Sequence, residues 1–251
     1  ESGVTSSRVV QAVKKKFQFK KVGHLGTLDP MATGLLILAI NRGTKFSSLL
    51  LESHKSYAAE VTLGVQTDTD DAEGEQIVAR PITCSNEEAN QMLLSFLGKS
   101  KQNPPTYSAL KVHGKPMYKY AREGIKVEKA PRDIEIKTIE NISINLPSIS
   151  FEVSCSKGTY IRSIARDLGE LLGCGGHLSA LKRLTQQDFL LKDAKTIDEI
   201  NEQDIIPLEQ AFNHLGSVHI SEEQLKKFMN GSAIDLSLSE NSLLRVYNSE
   251  N

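Results

Sequence analysis

The 251-residue sequence predicts an α+β fold with a mixed, largely antiparallel central sheet flanked by helices. Three observations carry this. Residues Ser148 to Cys155 alternate strictly, with Ile149, Phe151, Val153 and Cys155 on one side, and Ile134 to Ile144 alternates loosely just before it. Asn145-Leu-Pro-Ser148 joins the two runs as a hairpin turn. Helix signals fall between strands without the regular strand–helix–strand alternation that a parallel sheet needs.

The elements follow in order. A helix is expected from about Ser6 to Phe17, and Gly34 to Ile40 reads as one buried strand. Tyr57 to Leu63 alternates and is read as a strand. Ser85-Asn-Glu-Glu88 is a capping box: a serine accepts the N–H three residues on, and that glutamate reaches back. It precedes Met92, Leu93, Phe96 and Leu97, with Gly98 as the stop. A helix follows Thr159 up to Gly173, with Ile161, Ile164, Ala165, Leu168, Leu171 and Leu172 on one stripe. Thr196-Ile-Asp-Glu199 and Ser221-Glu-Glu-Gln224 repeat the helix-start signal. No internal repeat is visible. Residues 1–207 are expected to form one domain. Residues 208–251, acidic and poor in basic residues, read as a linker and the opening of a second module.

Composition bounds the function. Apolar residues make up 39% and charged residues 24%, the balance of a globular chain that buries its own core. Cys84, Cys155 and Cys174 are odd in number and far apart, which supports neither a disulfide framework nor a zinc ribbon. A cytoplasmic location is the expectation. The longest apolar run, Leu35 to Ile40, is far short of the roughly 20 residues that cross a bilayer. The net charge of −1 conceals local asymmetry. Between Val4 and Leu28 stand six basic residues and no acid; between Lys101 and Arg132 stand eight basic residues and two acids, Glu123 and Glu128. From Lys195 onward four basic residues face ten acids. Two basic patches on a neutral chain suit docking of a polyanion, with solvated helix faces as the alternative.

Two segments concentrate chemistry. In Gly23-His-Leu-Gly-Thr-Leu-Asp-Pro-Met-Ala-Thr-Gly34, glycines and Pro30 surround one carboxylate, Asp29. Pro30 pushes Asp29 toward extended backbone, so a tight loop projects it just before a strand. Such a carboxylate can serve at a sugar C1′, where the glycosidic transition state is cation-like; an Asp in an ordinary turn is the alternative. In Ser154-Cys-Ser-Lys-Gly-Thr-Tyr-Ile-Arg-Ser163, a strand ends, Gly158 turns the chain and a helix begins. Arg162 there can pair with a carboxylate and keep it ionised, and Tyr160 can stack on a base or handle a proton; local packing is the alternative. Tyr57 is an aromatic residue that opens a strand, with a core tyrosine as the alternative. From Asn103 to Gly124, Tyr107, Tyr118 and Tyr120 alternate with basic residues, as an RNA-contacting insertion or an amphipathic helix with lysines. The acidic run Asp68, Asp70, Asp71, Glu73 fails the calcium-loop pattern and reads as a solvated hairpin turn. The six histidines show no metal-ligand spacing, and no phosphate-binding glycine loop occurs. Neither a metal nor a cofactor is expected.

These segments together resemble the TruB family of pseudouridine synthases. Gly3-Val-Thr-Ser6 resembles the end of that family's first motif, behind Glu1-Ser2 where the family has Lys-Pro. Gly26-Thr-Leu-Asp-Pro-Met-Ala-Thr-Gly34 resembles its signature loop. Lys55-Ser-Tyr57 with Gly64 and Thr67-Asp-Thr-Asp70 follow in register. Pro105 to Lys111 and Tyr120 to Gly124 resemble the RNA-binding "thumb", an insertion at about 104–132. Ser156-Lys-Gly-Thr-Tyr-Ile-Arg162 and Leu181-Lys-Arg-Leu184 complete the set. The resemblance implies the pseudouridine-synthase fold with a thumb and, at the end, a partial PUA-like β module.

The resemblance also implies roles: Asp29 as the essential aspartate, Tyr160 as acceptor of the C5 proton, and Arg162 as the partner of Asp29. It implies Tyr57 stacked on the target base, His24 filling the gap in the RNA stack, Leu181 as an apolar wall and Lys157 as a neighbour of the site. The implied reaction isomerises uridine-55 in the T-arm stem-loop of tRNA, by a monomer, after flipping the base out. A non-catalytic RNA binder on the same scaffold and a nucleoside hydrolase are the competing readings.

Overall fold

The computed structural model describes residues 2–51, 53–125, 127, 129–236 and 243–248. The chain divides into two compact units, Glu1–Asp198 and Glu199–Asn251.

The first unit opens with α1 (Ser6–Phe17), whose N-cap Thr5 accepts the Arg8 N–H at 3.2 Å. Lys14, Lys15 and Lys16 fill its last turn, where cations suit the negative end of the helix dipole. Next come β1 (Val22–His24), β2 (Thr33–Gly34) and β3 (Leu38–Ile40). The single strand expected from Gly34 to Ile40 is therefore broken in two. Gly34 adopts φ 98°, and a Cβ there would overlap the Arg183 carbonyl oxygen. That close approach aligns β2 parallel to one strand, whereas β3 pairs antiparallel with β1.

A short α2 (Ser47–Leu51) leads into β4 (Lys55–Leu63), β5 (Val65–Thr67) and β6 (Gln76–Ala79). The capping box of Ser85 and Glu88 is formed and starts α3 (Asn86–Leu94). This helix stops at Leu94, ahead of the expected Gly98: the Phe96 and Leu97 N–H groups bond carbonyls three residues back, those of Leu93 and Leu94, and the Ser95 hydroxyl donates to the Met92 carbonyl. After β7 (Gly98–Gln102) comes the insertion with β8 (Lys111–Val112), β9 (Lys115–Pro116) and α4 (Met117–Arg122). Lys126 and Glu128 of its basic stretch lie outside the described residues. The unit closes with β10 (Arg132–Asn145), β11 (Ser148–Cys155), α5 (Ile161–Leu171), β12 (Gly176–Gln186) and β13 (Phe189–Leu190).

Seven strands form one sheet in the order β13-β12-β4-β11-β10-β7, with β2 added parallel to β12. All its other pairings are antiparallel, as expected. Period-two alternation puts Tyr57, Ala59, Val61 and Leu63 on the same face as Ile149, Phe151, Val153 and Cys155. That face is covered by Ala89 and Leu93 of α3 and by Ile161, Ile164, Ala165 and Leu168 of α5. Each large aliphatic side chain buried here contributes about 1.5–3 kcal/mol. A Cβ on Gly169 would overlap the backbone of Gly175 and Gly176, so only glycine lets α5 lie this close to the start of β12.

The helix expected at Thr196 is absent: 197–199 form a turn. Lys16 Nζ donates to the carbonyls of Ile197 and Asp198 at 2.6 and 2.9 Å, occupying acceptors that a helix would use. The second unit contains α6 (Leu208–Ala211), β14 (Gly216–Ile220), α7 (Glu222–Met229) behind the formed Ser221–Gln224 capping box, and β15 (Leu244–Asn248) parallel to β14. Residues 237–242 and 249–251 of the expected PUA-like module lie outside the described residues. No helix among the described residues is long and apolar enough to cross a membrane.

Candidate active site

The loop carrying Asp29 is held from two sides. On one, Ser6 at the start of α1 accepts the Leu28 N–H at 2.9 Å and donates to the Leu28 carbonyl at 3.2 Å. The Gly3 N–H reaches the Pro30 carbonyl at 2.7 Å. On the other, Arg183 of β12 donates from Nε to Leu35 at 2.6 Å and from Nη2 to Gly26 at 3.2 Å, and Gln186 donates to Leu25 at 2.8 Å. Arg183 is 1% exposed. Its charge is spread over carbonyl dipoles and the Tyr57 hydroxyl rather than set against a carboxylate.

Arg162 is the second residue of α5, four residues after the turn at Lys157–Gly158. Its Nη2 donates to Asp29 Oδ1 at 3.1 Å, and its Nε lies 2.9 Å from Asp29 Oδ2. The Nε contact is an ion pair whose N–H is not aligned as a hydrogen bond. Nη1 donates to the Thr69 carbonyl and Nη2 also to the Tyr107 carbonyl, each at 3.0 Å. Asp71 Oδ2 lies 3.5 Å from Nη1. One guanidinium therefore ties the Asp29 loop, the turn after β5 and the root of the insertion to α5. The arginine side chain is 6% exposed whereas that of Asp29 is 30% exposed, so the carboxylate keeps an open face while its partner is buried.

The electrostatics are a balance. Burial pushes the Asp29 carboxyl above its ordinary value; Arg162 opposes this and Asp71 adds to it. The guanidinium limits the upward shift rather than reversing it. Burial also pushes the Tyr57 hydroxyl up to about 12, against the pull of Arg183, and raises that of Tyr160, against Arg132, a hydrogen bond with Ser108, and Arg162. Lys55 is brought down to about 8 by burial and by Arg183. Burial, then Arg183, lowers the His24 imidazole, whose buried Nδ1 has no hydrogen-bond partner.

Among the expected residues, Asp29 and Arg162 meet directly, Tyr160 stands two residues before Arg162 at the N-cap of α5, and Tyr57 lies on β4 in register with Arg183. His24 lies on the Arg183 side of the loop. Lys157 is exposed and feels Lys55. Leu181, 9% exposed, faces the core beside Ala59. No group of three or more His, Cys, Asp or Glu that could hold a metal occurs among the described residues. A surface recess of about 570 Å³ along Lys99–Lys101 and Asp133–Glu135 contains none of these residues.

The acidic run is a correction. The run does connect the antiparallel β5 and β6, and Glu73 is exposed, but Asp70 and Asp71, 7% and 4% exposed, are not solvated: Asp70 pairs with Arg166 at 2.9 Å and Asp71 faces Arg162. Arg162 and Arg166, at i, i+4, lie on one face of α5, and like charges so placed repel; here each has a carboxylate partner. Gln102 and Gln186 carried no sequence signal, and Ser6 and Arg183 stood in motifs of the resemblance without a role. Each is a polar residue at a buried position, invisible to a search for charge clusters.

Residues 14–161 match the model of the TruB family pseudouridylate synthase N-terminal domain, and residues 162–215 match the tRNA pseudouridylate synthase B C-terminal domain. The tRNA pseudouridine synthase B of Alkaliphilus oremlandii is 45% identical over 237 residues, covering 92% of this chain and 79% of that one. The Clostridium kluyveri protein of the same name is 42% identical over 236 residues, covering 92% and 82%. Among solved structures, a chain of a Cbf5-Nop10-Gar1 complex superposes with TM-score 0.71 at 25% identity, covering 100% of this chain and 73% of that one. A chain of an H/ACA RNP bound to a substrate RNA containing 2′-deoxyuridine has the same fold, with TM-score 0.70 at 23% identity and coverage of 99% and 72%. The chain belongs to the TruB family of pseudouridylate synthases and is, as its sequence predicts, an isomerase.

Proposed function

We propose that this chain isomerises uridine-55 in the T-arm stem-loop of tRNA to pseudouridine, with Asp29 as the catalytic carboxylate. The observation that carries the reading is the Arg162 fork on Asp29, at 2.9 and 3.1 Å, with one face of the carboxylate open. A flipped nucleotide brings its ribose C1′ to that open face. The N1–C1′ bond breaks, the uracil turns, and a C5–C1′ bond forms. C5 loses its proton and N1 gains one, so atoms and electrons balance without oxidant or cofactor. Tyr57 stacks on the base. Tyr160, whose hydroxyl burial keeps protonated, takes the C5 proton on its oxygen while its own hydroxyl proton passes to solvent, and N1 takes one proton from solvent, so the phenol ends unchanged. Leu181 and His24 shape the pocket and fill the vacated stack, and Lys157 with the basic insertion holds the RNA backbone.

The test is carbodiimide adduct mapping of an unmodified tRNA transcript after incubation with the chain. A single new adduct in the T-arm loop, with no change in RNA mass, supports the reading. Release of free uracil indicates a hydrolase, and binding without an adduct indicates an RNA binder; either overturns it.

A further inference from the structure

Tyr160 is the N-cap of α5, a place that favours Ser, Thr, Asp or Asn because their short side chains accept an orphan N–H of the first turn. Tyrosine does not do so, and α5 has no side-chain cap. The main chain of Tyr160 is instead gripped from outside. Gln102 Oε1 accepts the Tyr160 N–H at 2.8 Å, and Gln102 Nε2 donates to the Tyr160 carbonyl at 3.0 Å. Gln102 is 4% exposed. Only one orientation of its amide satisfies both bonds, so the clasp is directional.

Gln102 ends β7 in register with Arg132, which begins β10. The insertion thus leaves and re-enters the sheet beside Tyr160. Tyr107 of that insertion gives its carbonyl to Arg162 Nη2 at 3.0 Å. Ser163 donates to the Asn103 carbonyl at 2.9 Å. A Cβ on Gly158 would lie 3.4 Å from the Arg132 guanidinium.

We propose that Gln102 is a positioning residue: by clasping both main-chain polar groups of Tyr160, it sets where the phenol stands relative to Asp29 and ties that placement to the root of the insertion. The inference rests on the role of Tyr160 proposed above. Gln102 itself touches no reacting atom.

Gln102→Glu tests it in the full chain. The variant keeps size and one acceptor but turns an ionised oxygen toward the Tyr160 carbonyl; protonation restores a donor there. Burial raises a carboxyl pKa, which brings that protonation toward the working range. Single-turnover pseudouridine formation on a tRNA transcript is measured from about pH 5.5 to 8, with tRNA Kd alongside. Expected is a rate at least about tenfold below wild type at the alkaline end, short of the hundredfold of an ångström-scale misplacement. That deficit shrinks as pH falls, and Kd stays within about twofold. Gln102→Met, which has no polar group to recover, is expected to show a deficit independent of pH. A Glu variant that tracks wild type at every pH, or one whose only defect is in Kd, overturns the inference while leaving the proposed function standing. A wild-type chain that makes no pseudouridine overturns the proposed function and this inference with it.

Discussion

Replacing Arg162 with lysine keeps a positive charge and removes the fork. In the native site three hydrogen bonds leave this side chain, to Asp29, Thr69 and Tyr107, and a fourth contact reaches Asp29 through Nε. A lysine ammonium is a single point with a shorter reach and cannot bond three chain segments at once. At least two bonds are lost. With hydrogen bonds to charged groups worth about 1.5–3 kcal/mol, and some recovery by the ammonium, Arg162→Lys is expected to lower stability by about 2–4 kcal/mol. The Asp29 loop loses its alignment, and single-turnover rates are expected to fall about 100-fold, as for misplacement by an ångström. Urea unfolding reads the first effect as a lower midpoint with an unchanged slope; a rapid-quench modification assay at saturating enzyme reads the second. A lysine variant with wild-type midpoint and a rate within about threefold would refute the idea that the fork, rather than the charge, organises the site.

Three further outcomes are expected. Asp71 holds the Asp29 carboxyl up, so Asp71→Asn should move the acid limb of the rate profile to lower pH; a move to higher pH contradicts the assigned coupling. Asp70 is raised to about 6 from 3.8. The folded state therefore binds the extra proton between those values, and stability should fall as pH rises through that window. Asp70→Asn, which tolerates the left-handed φ of 62°, should abolish that dependence in urea titrations. Gly34→Ala, with positive φ and overlap on Arg183, should cost at least about 2 kcal/mol. Gly23→Ala, with nothing within 4 Å, should be near neutral in the same urea titrations.

Much of the fold was legible because period and caps leave little choice. The strict alternation of Ser148 to Cys155 has one solution, a strand with one face buried, and Ser85 with Glu88 marks a helix start that the structure forms. Expectations failed where a distant partner decided the local structure. The break after Gly34 comes from Arg183, and the missing helix at Thr196 from Lys16. Asp29 and Arg162 stood out through loop chemistry and the turn at Gly158. Asp71 and Gln102 did not, because their significance is burial beside Arg162 and Tyr160, a property of tertiary packing that no local pattern encodes.

Asp29→Asn is the most direct test. It preserves shape and a hydrogen-bond acceptor for Arg162 while removing the charge proposed to act at C1′. Carbodiimide mapping of a T-arm transcript, with circular dichroism and tRNA binding on the same sample, should give native folding, retained binding and no pseudouridine. Conversion by the folded variant at the wild-type rate would contradict the assignment of Asp29.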